Sequence, residues 1–393
     1  MGAFRFTSVV NGKAAWLMAP CLAMLAYGYI FYCGFLNFYL ATACAVWILA
    51  ALWRFSARRA WVAGVIGALG VLAHPLPIVW ALCGIGYLYA ARALAVRGRT
   101  VLLAGSAGGL VAARFVLAKA FDCQWSLHQI GGPGLMGIPG VDQFVPYGAK
   151  YLFLCAGLLL LWSRLFLERI DSAPPTSDPL GQLWLLNLFA LFVLPSSILF
   201  PWYAEELQFI PERVGFFLMI LFCAWLGAAE YRRGIAGLFG ALAVIYFLFL
   251  FVDGRAINQV DAEIGSLVPG LPPEQRVVSS VNDTSEVRLN GLEHVLGWAC
   301  IGRCFDYANT EPASRQFRVQ VEGPGRVVAA TLDTAFAIER GDYVVRKADA
   351  PLYSVCPSSV PGRRFELRKL EAGEKVCHVT LAVTPRGLGG LFW

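Results

Sequence analysis

WVAGVIGALGVLAHPLPIVWALCGIGYLYA, residues Trp61 to Ala90, runs for thirty positions without an Asp, Glu, Lys or Arg, with Arg58 and Arg59 just before it and Arg92 just after. An α-helix needs roughly 20 apolar residues to cross a hydrocarbon core about 30 Å thick. The run is too long for one crossing. His74-Pro75-Leu76-Pro77 interrupts it near its middle, and proline breaks a helix by removing a backbone donor and clashing with the preceding turn. The stretch therefore predicts two short segments of about 14 residues each, folding back at the His-Pro corner so that both ends return to arginines.

The same reading extends in both directions. Before the corner lie apolar segments from about Ala14 to Tyr32 and from Phe35 to Trp53, the second followed by Arg54, Arg58 and Arg59. After it come Thr100–Ala120, Tyr151–Phe166, Gly181–Phe200, Arg213–Ala229 and Ile235–Val252, which makes nine segments. Lys and Arg resist translocation and mark cytoplasmic ends, whereas acidic residues contribute little to orientation. Alternate threading puts the basic groups at 54–59, 92–99, 164–169 and 232–233 on one side, with the N-terminus inside and the C-terminus outside. The first segment reads as a start-transfer helix that is retained rather than a cleaved signal peptide.

Composition agrees. The chain is 58% hydrophobic with a mean hydropathy of +0.60, and 15% of its residues are charged, against roughly 25% in an average soluble domain. No Asp or Glu occurs from Met1 to Phe121. Residues 1–252 carry 16 Lys and Arg against 9 Asp and Glu, while 253–393 carry 16 against 17. The positive balance belongs to loops between apolar segments, and neither part has the concentrated basic face that nucleic-acid binding requires. The expected fold is an α-helical polytopic membrane domain (1–252) followed by a small α+β extracytoplasmic domain (253–393).

In the tail, Arg276–Val281, Gln316–Val321, Arg326–Ala330, Tyr343–Arg346, Phe365–Arg368 and His378–Val383 alternate apolar and polar residues as half-buried strands do. Helices are expected at Gly291–Cys300 and Leu332–Ile338. Six of the eleven cysteines lie in apolar segments, where they pack as small hydrophobes. Cys300, Cys304, Cys356 and Cys377 fall in the tail, where an oxidising compartment allows two disulfides in any of three pairings. A zinc reading of Cys300 and Cys304 with Cys377 and His378 lacks a Cys-x-x-Cys pair, so no metal site is expected.

Polar groups at the outer helix ends supply the candidate site. Asn37 begins the second segment, His74 sits at the corner, and Asp142, Gln143 and Lys150 lie in a long loop. Glu205, Glu206, Glu212 and Arg213 lie between segments seven and eight. Lys119, Lys150 and Arg213 break the positive-inside pattern. Each basic residue fits either an anchor at the bilayer boundary or a phosphate ligand, and His74 fits either a structural break or an acid or base. Asp142, Glu205 and Glu206 are carboxylates able to take a proton from a nucleophile.

Four of these stretches carry a resemblance. GFLNFYL (Gly34–Leu40), the His74-Pro75 corner, VDQFVPYGAKY (Val141–Tyr151) and PERVGFF (Pro211–Phe217) resemble bacterial multi-pass membrane proteins of the GT-C glycosyltransferase superfamily. The tail sequence HVLGWACIGRCFDYANTEPASRQFRV (His294–Val319) is similar to the external domain of uncharacterised members. The resemblance implies transfer of a sugar from a polyprenyl-phosphate carrier to a cell-envelope glycan or protein acceptor on the outer face. Asp142, Glu205 or Glu206 would be the base. Asn37, His74, Gln143, Lys119, Lys150, Glu212 and Arg213 would bind substrate and carrier. No further cofactor is implied, and the partners are membrane lipid, the lipid-linked sugar and the acceptor.

The chain departs from that pattern where members usually place an essential acid, in the first external loop. Here that loop is Cys33-Gly34, and no acid precedes Asp122. Two expectations follow: the sequence starts late and lacks the catalytic loop, or it is a short form that is inactive or uses Asp142 or Glu205. A non-enzymatic envelope protein whose tail binds glycan or a protein is the alternative. A transporter is a third reading, but the charges cluster at the outer face and no repeat is visible.

Overall fold

Proline and glycine divide the apolar sequence into helices. The computed structural model describes residues 1–125, 140–203, 206–230, 233–283, 289–292, 295–309, 329 and 331–383. By its contacts the chain forms two compact units. The first comprises 1–146, 151–198 and 208–248; the second comprises 147–150, 199–207 and 249–393.

The first unit opens with α1 (Gly2–Asn11), closed by Gly12 in the left-handed region that glycine adopts without strain. The expected segment Ala14–Tyr32 is not one helix. It divides into α2 (Ala19–Ala26) and α3 (Tyr29–Tyr32) at Tyr27-Gly28, where a side chain on residue 28 would overlap the backbone carbonyl of Gln143. Then come α4 (Leu36–Leu52), α5 (Ala57–Ala73) and α6 (Pro75–Ala93). The break falls on His74, which ends α5 and caps α6, its Nδ1 accepting from the Leu76 amide at 3.3 Å. The flanking helices are 17 and 19 residues long, longer than the sequence suggested.

α7 (Val96–Ala120) follows, then a short pairing of β1 (Asp122–Gln124), α8 (Lys150–Ser172), α9 (Pro179–Val193) and β2 (Ser197–Leu199), the partner of β1. α9 stops earlier than expected because Leu194 precedes Pro195 and is held extended. α10 spans Ile210–Leu226, and α11 spans Arg233–Leu267. The expected end of the last apolar segment at Val252 is a correction: the helix continues another fifteen residues beyond it. Among the described residues four helices are long and apolar enough to cross a membrane: α6, α7, α8 and α11.

In the second unit β3 (Gln275–Val278), β4 (Val281–Asp283), α12 (Val295–Ala299), β5 (Cys304–Asp306), α13 (Leu332–Glu339), β6 (Leu352–Pro357), β7 (Phe365–Leu370) and β8 (Val379–Leu381) make a small α+β fold. A four-stranded sheet runs in the order β5-β3-β6-β7, with β3 parallel to both neighbours and β6 antiparallel to β7. β4 pairs separately with β8. Successive strand residues face opposite ways, so Val277 joins one core with Val355 and Phe365, while Val278 joins another with Tyr307, Ile338 and Leu352.

The first core includes Val260, Ile264 and Val268, so the C-terminal turns of α11 form one wall of the tail. β5 and β6 were not anticipated; Tyr343–Arg346 contributes an isolated bridge rather than a strand; and Gln316–Val321 and most of Arg326–Ala330 lie outside the described residues. The cysteine pairing is Cys300–Cys304 and Cys356–Cys377, which leaves no thiolate for the zinc alternative.

Candidate functional site

α10 explains itself by composition. It is apolar on every face, and a helix of that kind is stable only when surrounded. All of its residues except Phe222 are buried. At its N-terminus the sequence nevertheless places Glu212 and Arg213, also buried. Phe209, just before the helix, has φ 60°, a conformation rare for a bulky side chain.

Opposite this end runs a single 3-10 turn, Val141–Phe144, entered through Gly140 at φ 88°. Its Asp142 and Gln143 are buried. Gln143 Nε2 donates to Asp142 Oδ2 at 3.0 Å and to the backbone carbonyl of Glu212 at 3.1 Å, joining turn and helix. Two glycines permit the approach. A side chain on Gly215 would begin 3.4 Å from Gln143 Nε2, and Gly28 lies against the carbonyl of Gln143.

Arg213 is 6% exposed, and its guanidinium lies 4.6 Å from the ring centre of Phe35 and 5.4 Å from that of Phe38. Aromatic faces attract cations, more strongly once water is removed. Its Nε and Nη1 make no hydrogen bond, and neither does Gln143 Oε1. Phe38 in turn meets the ring of His74 at 5.6 Å and Phe217 at 5.5 Å, and Trp80 stacks on Phe217 at 4.0 Å. Two carboxylates and one guanidinium thus share a buried region with unused hydrogen-bonding capacity. Such groups are costly in an apolar bundle, and in membrane helices ionisable residues are functional candidates by default.

Five of the predicted residues therefore gather here: Asp142, Gln143, Glu212 and Arg213 directly, and His74 through Phe38. The others do not. Asn37 is exposed, its Oδ1 accepting from the Phe38 amide at 2.7 Å, and Lys119 is exposed at the last turn of α7. Lys150, expected at an aqueous boundary, is buried in the second unit, where it pairs with Asp253 and lies 5.3 Å from the ring centre of Phe249. Glu206 is half-buried in that unit, and Glu205 lies outside the described residues. Among the described residues no three His, Cys, Asp or Glu side chains are placed to hold a metal ion.

Sequence reasoning missed Phe35 and Phe38, whose apolar character in an apolar segment carried no signal. It missed Asp253 because that residue was taken as the first of the tail. Its position one residue after an apolar run, in a helix that does not stop there, was the available clue.

The protein is thus mostly helical, with four helices suited by length and composition to a membrane, a buried charged cluster among its helices and a small sheet-containing C-terminal region. Comparison with known proteins adds no relative: no protein family, no curated protein and no solved structure matches the chain.

Proposed function

We propose that this chain is a multi-pass membrane protein of the GT-C glycosyltransferase type, transferring a sugar from a polyprenyl-phosphate carrier to a cell-envelope acceptor. Its nine crossings would be α2 with α3, then α4 to α11, with the N-terminus inside a bacterial inner membrane and the tail outside. The two tail disulfides suit that oxidising side.

The observation that carries the reading is the buried cluster of Asp142, Gln143, Glu212 and Arg213. In the reaction Asp142 takes the proton of the acceptor hydroxyl as its oxygen bonds to the anomeric carbon. The bond from that carbon to the carrier phosphate oxygen breaks, and the phosphate leaves with the electron pair. Arg213, with Nε and Nη1 unused and already stripped of water, would stabilise the charge gathering on that leaving group. Gln143 orients Asp142, and His74 and Phe38 wall the site.

The test is transfer from radiolabelled polyprenyl-phosphate sugars by the full chain in lipid nanodiscs. Asp142→Asn should lower kcat by about 100-fold or more, and Arg213→Gln should lower it while the protein still elutes as a folded species. Wild-type protein that moves no sugar, or an Asp142→Asn variant as fast as wild type, would refute the assignment. Retained binding of envelope glycan or protein in both variants would favour the non-enzymatic reading.

A further inference from the structure

The second unit exposes apolar side chains where its own core does not use them. Trp298 is 68% exposed and Ile301 69%, and Phe305 is exposed beside them in sequence. Single exposed apolar residues need no explanation, but three within eight positions do. The Cys300–Cys304 disulfide closes the turn between them, Gly302 at φ 74° lets it reverse, and the Ile301 amide donates to the Trp298 carbonyl at 3.3 Å. Cys304 turns inward while Arg303 and Phe305, two residues apart, are exposed on either side of it. A covalently closed turn loses little freedom on binding, so its apolar tip is pre-organised for contact.

From the sequence of this tip we infer that it docks on the surface of an anionic phospholipid bilayer, an inference that rests on the reading of the chain as membrane-spanning. Its chemistry fits the headgroup boundary: an indole at the interface, aliphatic and phenyl groups towards the acyl chains, and a guanidinium for lipid phosphates. Trp298 to Phe305 contains no carboxylate, amide or hydroxyl side chain, the groups by which a sugar would be oriented. The bilayer is also at hand. Within this unit α11 carries Phe249, Phe251 and Val252 at the end of its apolar run and Val260 in the tail core. Eight residues of helix separate Val252 from Val260, about 12 Å along its axis. The tail thus folds on the helix as it leaves the apolar run.

A benzophenone amino acid, placed in turn at Phe115, Ile301 and Lys347 of the full chain in phosphatidylcholine–phosphatidylglycerol nanodiscs, tests this by lipid adducts in mass spectrometry. Phe115 is exposed on α7 and Lys347 is exposed in the tail. Lipid adducts at 115 and 301 but not at 347 are expected, with the yield at 301 falling on Arg303→Glu in anionic discs only. Lipid adducts at 115 with none at 301, or with only protein adducts at 301, overturn the docking surface and leave the membrane reading intact. Equal lipid labelling at 301 and 347 overturns it as well. No lipid adduct at 115 removes the membrane reading and the docking surface together.

Discussion

Lys150 and Asp253 are both buried, with Lys150 against the ring of Phe249. Removing one member of such a pair leaves a charge without its counterpart in a medium of low dielectric, which costs about 3–5 kcal/mol. Replacing both with apolar groups is close to neutral. Lys150→Met is accordingly expected to lower the thermal midpoint of the purified protein sharply, and Lys150→Met with Asp253→Leu to recover most of the loss; equal losses in both would show that the pair itself matters little.

In the tail, Asp349 accepts from Tyr307 Oη at 2.5 Å, from Tyr343 and from Arg346 Nε at 2.6 Å. Burial alone would raise its carboxyl, but the hydrogen bonds from Arg346, Tyr307 and Tyr343 outweigh burial and hold it below the usual range. Burial and the same carboxylate push the Tyr343 and Tyr307 phenols up. A depressed carboxyl contributes its stability in full above its unfolded value of about 3.9, and loses it as pH falls through the lower folded value. Hydrogen-exchange protection around Tyr343 and Val345, corrected for the intrinsic rate, should fall below about pH 4, and Asp349→Asn should flatten that dependence.

At the level of elements, α11 is the helix on which most turns. Val260 and Ile264 on one of its faces, with Val268 just past its end, recur every four residues and enter the core of the tail. Truncating a fully buried Ile removes its apolar contacts and leaves a cavity, so Ile264→Ala should cost about 2–5 kcal/mol, read as increased proteolysis of the tail in the full chain. Helix positions were largely legible because apolar length and proline punctuation are local signals: the break at His74 followed from residue type alone, whereas the stop before Pro195 carried the same local signal and was passed over. What was not legible depends on contacts distant in sequence. Position 28 must be glycine because Gln143 lies against it, and α11 outlasts its apolar run because strands far along the chain cover one of its faces. In the site, Asp142 and Arg213 stood out as charges near apolar runs. Their burial and the Phe35 and Phe38 cradle required the fold.

For the whole molecule, the Cys356–Cys377 disulfide joins β6 to the segment before β8 across 21 residues of sequence. Closing a loop of that size restricts the unfolded chain and stabilises by about 2–4 kcal/mol. Cys356→Ala with Cys377→Ala should lower tail stability by that order, measured by limited proteolysis, whereas the four-residue separation of Cys300 and Cys304 predicts a smaller loss for that pair. The last of the divisions between the two units falls within α11, after Leu248, rather than in a loop. A protease that cuts exposed connecting segments therefore has no cut there that frees an intact tail. Cleavage at Leu271-Pro272, just past the helix, would strip Val260, Ile264 and Val268 from the core they share with Val277, Val355 and Phe365 and release a fragment with part of that core uncovered. A tail freed at that point would thus be a fragment open to further proteolysis rather than a self-standing domain.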